Sequence, residues 1–397
     1  MSPTEPVHDH LVHDAVGPPL GGVAAAACLA VGVNALLVLG VLPVLLGALA
    51  DEHRLGAAGI GQTATLELLA MGLSTAAMGL VRRPSLLRWI GVAASVGLAG
   101  ADLATLGAAG AGILIWRALA GGLEGILLWI TVGMISRTVT PERWAGVFFT
   151  AQVLAQLGLA IGCAAVLIPR FGSAGGFAAL AGAALLGAAP ALALPRRFAP
   201  LPLPPGQGGA PSARGGFALI ATLVYVSGGG AVAVYLQPIA EQMGLNAGVA
   251  RDSLWISLAA QVAGGVAATA LAGRIRYFTV FLITTATYLA VWALFATRLP
   301  AGLFILANAA SGLVGLFLGP FLAPMTIDAD PSRRAAMQSG AAQLLGGALG
   351  PWLASLVVGE RDVHGVLWLG AGLILTGLAA VAGLRATATK AAISSRR

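Results

Sequence analysis

Apolar stretches of about 20 residues, cut by short clusters of charge, proline or glycine, recur along the whole chain. A helix rises about 1.5 Å per residue, so each stretch is long enough to cross a hydrocarbon layer of about 30 Å. The pattern predicts twelve spanning helices. The first six cover 21–49, 56–81, 85–105, 109–136, 143–168 and 173–194. The second six cover 216–240, 248–273, 277–296, 300–326, 334–358 and 364–385. Between the two sets, the proline-rich segment 196–215 opens on Arg196 and Arg197 and reads as a linker. The expected organisation is a tail (1–20), a six-helix bundle (21–195), the linker (196–215), a second six-helix bundle (216–385) and a tail (386–397).

Composition removes the soluble alternative. Of the 397 residues, 58% are hydrophobic and 9% charged, and the mean hydropathy is +0.90. Soluble domains carry about 25% charged residues, and no soluble core could hide this much apolar surface. The expected fold class is therefore an all-α polytopic membrane protein.

The basic residues then orient the helices. With both termini cytoplasmic, Arg82, Arg83, Arg88, Arg137, Arg143, Arg196, Arg197, Arg214, Arg274, Arg276, Arg333, Arg334, Arg385, Lys390, Arg396 and Arg397 fall on cytoplasmic segments. Only Arg54, Arg170, Arg251, Arg298 and Arg361 fall on outer loops, and Arg117 alone lies deep in a span. This alternation obeys the positive-inside rule for an inner-membrane protein. It also explains the net charge of +7 without nucleic acid as a partner. His8, His10 and His13 read as part of a solvated tail rather than a metal site. Cys28 and Cys163 fall within spans, where a structural disulfide is not expected. No metal site and no cofactor are expected.

The two halves resemble each other. Pro141–Glu–Arg143, followed by Ala151–Gln152–Val–Leu154, has a counterpart in Pro331–Ser–Arg333–Arg334, followed by Ala342–Gln343–Leu–Leu345. Internal repeats with a site near the midplane are a common plan of secondary transporters.

Candidate chemistry centres on charge in the bilayer. Arg117 and Glu124, seven residues apart on the fourth span, share one helix face. Each would be costly in hydrocarbon, so each needs a partner, a cavity or water. Glu67 lies mid-span in the second helix, and either Glu67 or Glu124 is a candidate to load and release a proton. Asp102, near the outer end of the third span, is expected to be solvated or to cap a short loop.

The second half carries no mid-span charge. It offers Tyr225, Tyr235, Gln237, Gln261, Asn308 and Gln343, to which the first half adds Asn34, Gln152 and Gln156. Amides and rings with few charges suit an amphipathic organic solute better than a sugar or a nucleotide. Gly228, Gly229 and Gly230, in the seventh span, are candidates for a bend that opens and closes a cleft, as well as for close helix packing.

With two six-helix halves and a central linker, the chain resembles the major facilitator superfamily of transporters. The segment Arg117–Ala–Leu–Ala–Gly121–Gly122 resembles the fourth-helix arginine motif of that family. Gly79–Leu–Val–Arg82–Arg83 keeps the glycine and arginines of its loop signature without the aspartate, and Gly273–Arg274–Ile–Arg276 is similarly truncated. Gly158 and Gly162 are not followed by the Gly-Pro of the antiporter signature.

The resemblance implies alternating access by a monomer, gating at Gly79, Arg82 and Arg83, and a role for Arg117 in proton coupling or in binding an anionic group. Efflux of an amphipathic compound, uptake of an organic anion by symport or uniport, and a non-transporting sensor on the same fold are all compatible with these residues. No sequence pattern of a metalloenzyme, a phosphate-binding loop or a soluble ATPase domain is present. The expected partners are a small-molecule solute, protons and the lipid bilayer.

Overall fold

The computed structural model describes residues 16–17, 20–81, 84–201, 210–359 and 363–394. The first half contains α1 (Gly22–Asp51), α2 (Ala57–Gly79), α3 (Leu87–Leu106), α4 (Ala111–Ile135), α5 (Pro141–Gly162) and α6 (Ile168–Ala191), with a π-helical turn at Cys163–Leu167. The second contains α7 (Ala213–Val234), α8 (Leu236–Gln242), α9 (Ala247–Leu271), α10 (Tyr277–Phe295), α11 (Ala301–Leu318), α12 (Leu322–Ala329), α13 (Arg334–Ser355) and α14 (Gly365–Ser394). These helices follow the twelve expected spans closely, and the architecture is all-helical.

The departures have local causes. The seventh span is broken between α7 and α8 because Pro238 has no N–H and its ring would clash with the Val234 carbonyl, which ends α7. Pro320 likewise interrupts the tenth span, where Gly319–Phe321 forms a 3-10 turn between α11 and α12. The fifth and sixth spans run on through the π-helical turn. Their axis breaks at Gly172, whose φ of +64° is open to glycine and strained for other residues.

Among the described residues, nine stretches are long and apolar enough to cross a membrane, one of them the double-length Pro141–Ala191. The helices missing from that set are α2 and α13, which pack against each other across the two halves. Their polar and small residues serve a protein interface, so they need less lipid-facing hydrophobicity.

Buried apolar residues form two clusters. One draws on residues 27–201 together with Met337 and Leu344 of α13, and the other on 218–384. Within the first half α2 lies against α4, and within the second α7 lies against α13 and α14.

The connecting loops sort onto two faces. On one, Arg54 donates to the carbonyls of Thr105 (2.7 Å), Leu106 (2.9 Å) and Ala108 (2.6 Å), and to Ser173 Oγ (3.0 Å). This face therefore gathers the first, third and fifth connections. On the other, Leu87 N–H donates to the Arg196 carbonyl (3.3 Å) and Phe198 N–H to that of Pro84 (3.2 Å). Arg137 Nε donates there to the Ala199 carbonyl (2.9 Å). Successive connections of the first half thus fall alternately on the Arg54 face and the Arg137 face. The chain is a multi-pass membrane protein.

Candidate functional site

The intramembrane charges converge on Arg117. Glycines make this possible: at Gly121 and Gly125 of α4, a Cβ would strike the backbone carbonyls of Glu67 and Met71 in α2. The two helices therefore approach closely enough for Arg117 to reach Glu67. The guanidinium forks onto that carboxylate, with Nε donating to Oε2 at 3.1 Å and Nη2 to Oε1. Nη1 donates to Asp102 Oδ1 at 2.5 Å. Glu124 Oε1 lies 3.7 Å from Nη2, and its Oε2 has no hydrogen-bond partner. The Phe177 ring covers the guanidinium with its centroid 5.5 Å from Cζ.

One expectation needs correction. Asp102 is neither solvated nor a loop cap. α3 continues past it to Leu106 and packs against α4 and α6, which leaves Asp102 buried against Arg117. Arg117 and Glu124 do share a face, but Arg117 is held chiefly by Glu67 and Asp102, because the α2–α4 contact supplies a partner closer than the helix's own. One arginine thus faces three carboxylates. If all four were ionised, the cluster would carry two uncompensated negative charges in a sealed site, an arrangement costly enough to favour a resident proton.

The solute-sized space lies elsewhere. A cavity of about 340 Å³ is lined by Phe149 of α5 and otherwise by the second half, including Tyr225, Gly229, Gly230, Gln261, Asn308 and Gln343. A second, of about 260 Å³, lies between the halves, lined by Gln152, Phe148 and Leu128 on one side and Ser339, Gly340 and Leu344 on the other. Phe149, Gly319 and Gln343 border both. Neither lining contains Asp, Glu, Lys, Arg or His.

The other expected residues are dispersed. Gln156 Nε2 donates to the Leu36 carbonyl at 2.5 Å and ties α5 to α1. Asn34 is buried against Gly187 of α6. Gln237 is exposed and donates to Glu241 Oε1 (2.9 Å), while Tyr235 is half-buried at the break between α7 and α8. A methyl at Gly228 would lie 2.6 Å from Ile374 Cγ2, so Gly228 packs α7 on α14, and only Gly229 and Gly230 face the cavity. Arg117, Glu67 and Glu124 border neither cavity. Arg82 and Arg83 lie outside the described residues.

Sequence reasoning missed Asp102 as a partner of Arg117, and Tyr288, Trp292, Ser257 and Ser311 as lining. The spacing of Tyr288 and Trp292, one helical turn apart on α10, was the available signal; the two rings stack at 5.2 Å. Ser311 Oγ is buried and has no hydrogen-bond partner among the described residues.

The halves meet at the Arg137 face. Arg333 Nη1 donates to the carbonyls of Ser136 (2.8 Å) and Thr138 (2.9 Å) at the end of α4. Gly79 sits against α13, where a Cβ would lie 3.1 Å from Gln338 Cγ. Burial, with Arg333 and Arg334 close by, pushes Arg137 down to about 10. Between the halves, Arg333 thus sets a cation on the backbone carbonyls at the end of α4.

No family model and no curated protein sequence matches the chain. Solved structures do. The human organic anion transporter MFSD10 (TETRAN) superposes with a TM-score of 0.68 at 13% identity, over 92% of this chain and 100% of that one. The transporter FucP in its outward conformation gives 0.69 at 12% identity, over 90% and 98%. The proton:xylose symporter XylE bound to 6-bromo-6-deoxy-D-glucose gives 0.65 at 14% identity, over 90% and 93%. At such identities the likeness is one of architecture: the chain has the twelve-helix, two-bundle fold of major facilitator superfamily transporters.

Proposed function

We propose that the protein is a secondary transporter that moves a small amphipathic organic solute by alternating access and couples this movement to protons. The observation that carries the reading is the sealed cluster of Arg117 with Glu67, Asp102 and Glu124, in a protein whose uncharged cavities the cluster does not border. Glu67 and Asp102 hold the guanidinium. Glu124, at 3.7 Å with one oxygen unpartnered, is the carboxyl left to exchange a proton.

α2 links the two sites. It carries Glu67, and it packs on α13 through Gly72 against Leu345 and Gly79 against Gln338. α13 carries Gln343, which borders both cavities. Proton exchange at the cluster would be felt at the cavity through this helix pair. The Arg333 contacts with α4 would close one side, and the loop charges favour placing that side, with both termini, in the cytoplasm of a cell whose inner membrane holds the protein.

Use of Arg117 as an anion site is disfavoured, because each of its three nitrogens already donates to Glu67 or Asp102. The structural neighbours that transport an organic anion and xylose support solute movement, while the uncharged cavity favours another solute class.

The test is accumulation of candidate solutes in proteoliposomes under an imposed pH gradient. The reading expects accumulation that a protonophore abolishes. Uptake indifferent to the protonophore would leave a uniporter, and solute-dependent stabilisation without flux would leave a sensor.

A further inference from the structure

We infer that the 340 Å³ cavity takes an uncharged organic molecule with a flat ring system and a single amide-like hydrogen-bonding end. The inference rests on the transporter reading only in treating this cavity as the solute site.

Charge is the first argument. No Asp, Glu, Lys, Arg or His lines either cavity, so an ionised solute would lose its hydration without gaining a counter-charge. The Arg117 cluster borders neither space, and each guanidinium nitrogen already donates to a carboxylate.

Shape is the second. Along α7 the cavity wall at Gly229 and Gly230 is bare backbone, with room at Gly230 for a methyl 3.5 Å from the Gly347 carbonyl. The stacked rings of Tyr288 and Trp292, with an interplanar angle of 21°, supply an aromatic wall. Bare helix backbone and aromatic rings make a slot that a planar ring fills through apolar contact and stacking.

Polarity is the third. Ser311 Oγ is buried in the lining without a partner, and a buried hydroxyl of this kind calls for one. Gln343 spends its Nε2 on the Ser339 carbonyl at 3.3 Å, which leaves its amide oxygen as an acceptor. Gln261 provides a second primary amide on the lining. Complementary donors and acceptors for one amide-like group are present. A hexose, with hydroxyls around its whole rim, would leave several of them unpaired against glycine and aromatic walls.

The test uses the full-length protein in detergent and three matched probes: 2-naphthamide (uncharged), 2-naphthoate (anionic) and 2-naphthylmethylamine (cationic). Methyl glucoside serves as the polyhydroxy control. Binding is read by thermal shift and by quenching of tryptophan fluorescence. The expected result is binding of 2-naphthamide at least tenfold tighter than that of either charged twin, and none for the glucoside. Ser311→Ala and Gln261→Leu should each weaken 2-naphthamide by about tenfold, the loss of one hydrogen bond.

Gly230→Leu should abolish binding by filling the slot. Gly230→Ala, which the backbone accommodates, should weaken it with an unchanged melting point for the unliganded protein. Preference for a charged twin, absence of 2-naphthamide binding, or 2-naphthamide binding that survives both Gly230 variants would overturn the inference. Cavity-dependent binding of 2-naphthamide without flux in proteoliposomes would instead sink the transporter reading and leave the ligand class standing.

Discussion

Arg117 of α4 grips Glu67 of α2 through both its Nε and Nη2, in a contact sealed from solvent on both sides. Two helices that meet through glycine are thereby locked by a forked ion pair. A forked pair fixes orientation as well as distance. Asp102 and Phe177 complete the setting of the guanidinium, and the cluster joins four helices of the first bundle, α2, α3, α4 and α6, into one unit.

Removing one partner of such a pair leaves a buried charge uncompensated, at a cost of about 3–5 kcal/mol. Glu67→Ala should therefore lower the melting temperature of the detergent-solubilised protein strongly. Glu67→Gln, which keeps an acceptor for the guanidinium, should lower it less. A Glu67→Ala protein that melts like the wild type would show that Arg117 does not depend on this pair.

Glu124 should behave differently. It stands off at 3.7 Å and contributes no hydrogen bond to Arg117, and a glutamine matches the shape of its protonated form, so Glu124→Gln should cost less stability than Glu67→Ala. Thermal melts of the two glutamate variants, side by side, separate the structural carboxylate from the exchanging one. Equal losses in both would contradict the division of roles.

The α2–α4 approach has its own signature. A methyl at Gly125 would strike the Met71 carbonyl and lie 2.9 Å from Thr75 Oγ1, and a backbone carbonyl cannot swing away as a side chain can. Gly125→Ala should cost about 1–3 kcal/mol by overpacking. Gly122→Ala, on the same helix with open space at its Cβ, should be neutral or slightly stabilising. Comparing their melting temperatures checks the packing without touching a charge.

How much of this was legible in the sequence follows from which contacts are local. The spans were legible because length and hydropathy set them and the loop arginines cross-check them. Arg117 and Glu124 were visible as charges on one face because helical periodicity is local. Asp102 was misread because its distance from the end of a span says nothing about which neighbouring helix covers it. Its partner stands 15 residues away on another helix, and that of Glu67 stands 50 away. Tyr225, Gln261 and Gln343 reached the cavity, Asn308 reached it while its amide donates to Ser253 of α9, and Gln156 and Asn34, chemically alike, were taken up between helices. Residue type cannot make that distinction, because an amide serves an interhelical bond and a ligand equally well.

The Arg333 contacts at the Arg137 face, taken as a latch between the halves, predict a change in access. Arg333→Ala removes the donor to the Ser136 and Thr138 carbonyls, which should favour opening of that side. A cysteine placed at Ser339, which lines the second cavity, reports this in a background where Cys28 and Cys163 are replaced. Labelling by an impermeant maleimide applied from the Arg137 side should be several-fold faster with Arg333→Ala than without it. An unchanged rate would mean that the latch is not what closes this face.

The most direct test of the central claim, that Glu124 carries the coupled proton, pairs two readings on one variant in proteoliposomes. With 2-naphthamide as the probe solute, wild-type protein should acidify or alkalinise a pyranine-loaded lumen as the solute moves, and should also exchange labelled for unlabelled solute. Glu124→Gln should keep the exchange and lose the proton signal. Proton movement by Glu124→Gln at the wild-type rate would contradict the account.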